Sequence, residues 1–313
     1  MTTRQLMLTV LLAFAVLSSA GAQGVASGTG IRVRHERGQE RLARRILDIY
    51  PGLREDVTRK LGIAYPRSLE VVVVRGHDSF NAVLRKNGGR ERPEHVAAVA
   101  FGYRDLIVLK SSAWTRAEGD LMPSIFEHEI AHCVVGHLER EHAECFVPRW
   151  FDEGVAQWVS ERVFHGEPDI LDRAAGSDAL LPFDELVNSF PEQEGASALA
   201  YAQSLSLVRF ISRLHAEHEL VRGNIRAIFA LLARGWRLEA AIESVTGMSM
   251  PALLDAWRAD LERRALAADL RLFPQILFGA ILLVSSLLGW ATLRVRRARR
   301  LREFDEEEPV HGL

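Results

Sequence analysis

Cysteine is scarce, with two residues in 313. That is too few for a disulfide framework, and too few for an all-cysteine zinc site, which needs four thiolates. Charge of one sign is also missing. Lys and Arg total 39 against 41 Asp and Glu, a net charge of −2. A chain that grips nucleic-acid phosphates needs a basic face, so no nucleic-acid partner is expected. There is no internal repeat and no low-complexity tract. The 48% hydrophobic and 26% charged composition is that of a globular protein. Long charge-free apolar runs occur only at the two ends.

The N-terminal run follows Arg4 and extends from Leu6 to Leu17, then gives way to Ser18-Ser19-Ala20-Gly21-Ala22. This is the layout of a secretory signal over residues 1–22, with cleavage expected before Gln23. The C-terminal run, 272–293, is 22 residues long and ends near Trp290. A helix of that length rises about 33 Å, enough to cross a bilayer core. Six arginines follow between Arg294 and Arg302, then an acidic stretch from Asp305. A basic flank directly after a span marks the cytoplasmic side. The expectation is a single-pass membrane protein. It has a flexible lead-in at 23–38, an extracytoplasmic domain at 39–270, a transmembrane helix at 272–293 and a cytoplasmic tail at 294–313. The exported compartment permits a Cys133–Cys145 bridge, but Cys133 is equally suited to a small buried apolar role.

Within the exported part, 24–30 is rich in Gly and Ser and reads as loop. Residues 39–61 have helical apolar spacing, broken at Pro51-Gly52. Leu69–Val74, Val96–Phe101 and Leu106–Leu109 read as strands, the last two as a hairpin around Gly102–Asp105. From Asp120 onward the periodicity is helical: 120–139, 150–163, 199–215, 224–232, 238–245 and 250–267. Strands first and helices afterwards is an α+β arrangement.

His128-Glu129-Ile130-Ala131-His132 carries chemistry. On a helix capped by Asp120, histidines four apart lie about 40° apart, so both imidazoles reach one metal. Glu129 stands beside that metal, placed to take a proton from bound water. A surface helix with scattered histidines is the bland alternative. A catalytic zinc needs a third ligand and an open position. His137 points about 180° from His128 on a continuous helix, and with His142 it suits a helix end or surface. Glycine and histidine do not follow His132 at the spacing metzincins use. Glu153, 21 residues after His132 in Trp150–Trp158, is the better candidate. Gly154 and Ala156 are small enough to let its helix approach the histidine helix, and Asp152 suits a helix N-terminus.

These two segments, H-E-x-x-H and W-F-x-E-G-x-A-x-W, resemble the gluzincins, and more closely the peptidase MA-like metallohydrolases. Ala200–Phe210 is similar to the helix after the third ligand, and 235–261 to the closing helices. The resemblance covers roughly 40–265. It implies a zincin-like fold: a small mixed N-terminal sheet with an edge hairpin, an active-site helix and a helical second half. It further implies one Zn2+ held by His128, His132 and Glu153, with Glu129 as general base. Tyr201 is the candidate oxyanion donor, with a partly buried core tyrosine as the other reading. One departure is Gln157, where thermolysin-type members have an Asp partner for a ligand.

The implied activity is hydrolysis of peptide bonds by a metal-activated water, on a peptide or protein substrate paired to the hairpin edge. The alternative from another class is a zincin-like module without turnover that acts as a binding or assembly partner at the membrane. The intact Glu129 argues against it.

Overall fold

The chain's most apolar segments stand at the centre of its sheet. Leu69–Val74 (β3) and Leu106–Lys110 (β5) are almost wholly buried along their length. Strands covered on both faces are expected to read as continuous apolar runs. In this computed structural model the described residues are 24–114, 122–161, 170–214 and 223–306. The remaining elements are β1 (Gly24–Gly28), β2 (Ile31–His35), α1 (Glu40–Leu61), α2 (His77–Lys86) and β4 (Ala98–Phe101). They are followed by α3 (Met122–Glu141), α4 (Arg149–Val159), α5 (Glu194–Arg213), α6 (Gly223–Leu232), α7 (Leu238–Thr246) and α8 (Met250–Glu306). Short helical turns occupy Ser111–Trp114 and Ile170–Gly176.

The sheet order is β1-β2-β3-β5-β4. β2, β3 and β5 run parallel, and β1 and β4 pair antiparallel at the two edges. Phe80 and Leu84 of α2 pack with Val72, Val74, Leu106 and Val108 on one face. α1 and α3 cover the other, where Tyr50 and Phe126 meet with ring centroids 6.2 Å apart. A small N-terminal sheet with two helices between its strands, followed by a mostly helical remainder, is the mixed α+β class expected from the sequence.

Several buried polar groups fix the connections. Lys60 at the end of α1 donates to Glu127 of α3 (2.8 Å) and to the carbonyl of Val159 at the end of α4 (2.6 Å). Asn81 holds both sides of one loop residue, its Oδ1 accepting from Arg92 N–H and its Nδ2 donating to Arg92 C=O. Gln203 does the same for Leu181.

The structure divides into two compact units. The first comprises the described residues to Leu171 with Leu180–Trp257, and the second Asp172–Ala179 with the described residues from Arg258. The sheet and the histidine helix belong to the first.

Several expectations are corrected. Residues 24–35 are not a flexible lead-in but a hairpin in the sheet. Ile31, Val33 and His35 alternate inward along β2, a period-2 pattern short enough for the Gly/Ser composition around it to mask. α1 continues through Pro51, which lies on its exposed side. The segment 250–267, the apolar stretch and the basic flank form one 57-residue helix, α8. Within it, Phe278–Arg299 is long and apolar enough to cross a membrane, with mean hydropathy 1.7. That stretch overlaps the expected 272–293. Cys133 and Cys145 are both buried free thiols. The expected signal sequence and the Asp120 cap lie outside the described residues.

Candidate metal centre

The histidine helix α3 is set against the sheet by a backbone contact. A Cβ placed on Gly136 would lie 2.4 Å from the carbonyl carbon of Gly102, and one on Gly102 would lie 2.5 Å from the oxygen of His132. Only two glycines allow this approach of hairpin turn to helix. The turn is pinned further at Asp105, which accepts from Tyr65 Oη and Arg140 Nη2, both at 2.7 Å. His137, expected at a helix end or surface, is buried with its ring edge-on to Tyr65.

The consequence is that β4, a sheet edge, lies alongside Glu129. Lys110 N–H bonds Ala97 C=O, and the register pairs Ala98 with Leu109. By antiparallel alternation the peptide groups of Ala98 and Ala100 therefore face away from β5, toward the open edge. The Ala100 N–H reaches the Glu129 carboxylate.

α4 lies against α3 and delivers Glu153. His128 Nε2 and His132 Nε2 are 3.1 Å apart, and Glu153 Oε2 is 3.4 and 3.5 Å from them. Those three atoms could together hold a metal ion. Ligand atoms at about 2.0–2.1 Å from a tetrahedral zinc are about 3.3 Å apart, so the triangle has the right size. Glu153 Oε2 is buried and has no hydrogen-bond partner. A buried carboxylate oxygen without a partner is costly, and a cation among these three atoms would supply one.

The surrounding charges agree. Burial opposes a charged His132, yet the Asp152 and Glu153 carboxylates outweigh it and hold the imidazole well above its usual pKa. Burial would likewise raise Glu153, but Arg149 and His132 hold it well below the usual carboxylate range. Burial pushes Glu129 up, against the two imidazoles and with the help of Glu153. Positive charge is stabilised at this point of the protein.

The structure brings His128, His132 and Glu153 together with Glu129 beside them, and Tyr201 lies near Glu153. The Tyr201 hydroxyl is hydrogen-bonded with Arg149, and its ring meets Phe190 edge-on at 5.0 Å. The negative charge of Glu153, followed by burial, pushes its phenol pKa up, so it keeps its proton. Two residues were missed. Asp152, in the first turn of α4, accepts from His132 Nδ1 at 2.8 Å and so fixes Nε2 as the nitrogen that faces His128 and Glu153. Arg149 Nη2 lies 2.6 Å from Glu153 Oε1. The i, i+4 spacing of Arg149 and Glu153 was the available signal. Gln157 donates to the carbonyls of Glu153 and Tyr201, and it is Asp152 that pairs with a histidine of the triangle. Gly154 faces Ser204 of α5 rather than α3, with a Cβ there 2.5 Å from the Ser204 oxygen.

The sequence profile described as the peptidase MA superfamily matches residues 93–263. No curated protein matches the chain. Twelve chains of solved structures match. One is yeast LTA4 hydrolase in complex with bestatin, at 13% identity and a TM-score of 0.42. The alignment covers 68% of this chain and 34% of that one, so this chain spans about a third of that enzyme's length.

Proposed function

Because the chain belongs to the peptidase MA superfamily, we propose that it is a zinc-dependent peptidase held at a membrane by one C-terminal helix. The domain is residues 39–270 together with the hairpin that precedes it. His128, His132 and Glu153 are the metal ligands, and the observation that carries this is their 3.1–3.5 Å triangle of donor atoms beside a buried Glu129.

Zinc, when bound, lowers the pKa of its water and polarises the substrate carbonyl. The protein's own residues do the rest. Asp152 holds His132 by Nδ1. Glu129 takes the proton of the attacking water on its carboxylate. It then passes that proton to the leaving nitrogen. Tyr201, with its proton retained, donates a hydrogen bond to the oxygen on which negative charge develops. The outward peptide group of Ala98 and the C=O of Ala100 align an extended substrate by adding it as a strand, while the Ala100 N–H stays with Glu129. Such recognition reads backbone and fits a peptide or protein substrate.

The apolar stretch Phe278–Arg299, with the arginines at its end, supports a span with the C-terminus in the cytoplasm. Residues 1–22 are the matching export signal, so the peptidase domain acts outside the cytoplasm.

The test is metal content of the purified full-length protein by mass spectrometry, alongside hydrolysis of a mixed peptide library. One zinc per chain is expected, weakened in Glu153→Ala. Glu129→Gln should keep its zinc and lose about 10²–10⁴-fold in rate. A wild-type protein without zinc overturns the reading. Zinc with no cleavage, in wild type and Glu129→Gln alike, overturns the peptidase activity and leaves a binding module.

A further inference from the structure

We propose that Arg149 is a positioning residue that engages one oxygen of Glu153, so that this ligand meets the metal through its other oxygen alone. The proposal rests on the zinc reading above. Arg149 stands one turn before Glu153 on α4, on the same face. Its Nη2 contacts Oε1 at 2.6 Å, while Oε2 faces the two imidazoles. The two oxygens are thus already assigned different partners.

The guanidinium is itself held. The Phe190 ring lies over it, 5.6 Å from Cζ to centroid, and Tyr201 is hydrogen-bonded with it. The main-chain N–H of Arg149 donates to Val187 C=O at 2.7 Å, which ties this residue to the loop that carries Phe190. Val187 and Phe190 belong to the loop that Gln203 clamps at Leu181. A planar cation stacked on one side and bonded along its edge has little freedom to release the carboxylate.

The chemical consequence concerns coordination number. An unrestrained glutamate can place both oxygens on a metal. Two imidazoles and two oxygens would fill the four positions of a tetrahedral site, so that water could join only as a fifth ligand. A glutamate restricted to one oxygen leaves the fourth position open, which hydrolysis requires. An arginine that merely neutralised a buried carboxylate would affect stability and not the number of oxygens on the metal.

That difference is measurable without turnover. Co2+ is substituted into the full-length protein, and its ligand-field absorption is recorded with its affinity by chelator competition. Wild type should show the intense bands of a four-coordinate site. Arg149→Ala should show weaker, five-coordinate bands and about 10–100-fold weaker affinity. Arg149→Lys keeps the charge but not the fork, and should fall between them. Phe190→Leu should shift the spectrum in the same direction by less. Wild-type bands and affinity in Arg149→Ala overturn the proposal while the zinc reading stands. If Arg149→Ala does not fold, wild-type bands and affinity in Arg149→Lys overturn it equally. A wild-type protein that binds no metal at all overturns the function proposed above instead.

Discussion

Gly52 and Gly136 both lie inside helices, and replacing each with alanine should have opposite effects. Gly52 is on the exposed side of α1, and a Cβ there meets nothing within 4 Å. Alanine should stabilise the protein by about 0.5–1 kcal/mol through helix propensity alone. Gly136 gains the same propensity, but its Cβ would sit 2.4 Å from the Gly102 carbonyl carbon. Carbon atoms rest at about 3.5–4.0 Å, so the hairpin must withdraw by about 1 Å. The obstructing atoms are backbone and cannot rotate away, which places the overpacking cost toward the upper end of about 1–3 kcal/mol. Net, Gly136→Ala should lose about 1–2 kcal/mol. The withdrawal also carries Ala100 away from Glu129, and a misplacement of about 1 Å at a reacting centre costs about 100-fold in rate. Guanidinium unfolding of both variants and peptide turnover of Gly136→Ala measure these quantities. A Gly136→Ala protein stabilised as much as Gly52→Ala, with wild-type turnover, would refute the docking of hairpin on helix.

Three further outcomes are expected. Asp152→Ala should weaken metal binding by about 10–100-fold, because His132 loses the carboxylate that orients it; unchanged affinity in a chelator titration would contradict that role. Lys60→Met removes the cation beside buried Glu127 and should cost about 3 kcal/mol, much of it recovered in Lys60→Met/Glu127→Met; a single variant of wild-type stability would show that the cluster is not a clamp. Burial pushes the Cys145 thiol up from 9.0 to about 11. At pH 8 that leaves about one hundredth of the ordinary thiolate, so disulfide reagents should label it about 100-fold more slowly than in the denatured chain. The folded state holds this proton more tightly than the unfolded one, so its contribution to stability is lost as pH rises from 9.0 toward about 11. Equal labelling rates in the two states would count against the burial.

The parts of this protein that were legible in sequence are those whose signal is local. H-E-x-x-H fixes two side chains on one helix face by spacing alone, and the helices after residue 122 announce themselves by apolar period. Glu153 was found because a second short motif surrounds it. What was not legible depends on tertiary partners. β1 and β2 are five residues each, and the Gly and Ser of β1 read as loop until β3 is there to pair with Ile31–His35. Asp152 does stand in the first turn of α4, but nothing local shows that His132 Nδ1 comes within 2.8 Å of it. Gly136 looks like an ordinary weak point in a helix until Gly102 is placed against it. Gly154 was paired with the wrong helix for the same reason.

The two amide clamps bear on how such a protein changes over time. Asn81 and Gln203 each grip the main chain of one loop residue, Arg92 and Leu181, through its N–H and C=O. A grip on the main chain is indifferent to which side chain the held residue carries. Each loop is therefore suspended from a point that survives substitution along it. Apart from Val96, Phe183, Leu186 and Phe190, which pack against the core, Trp150 or Arg149, residues between the clamps and the elements that follow can diverge under selection for a new substrate without renegotiating the helices that carry the proposed metal ligands. Libraries aimed at altered selectivity have their natural boundaries at those two points.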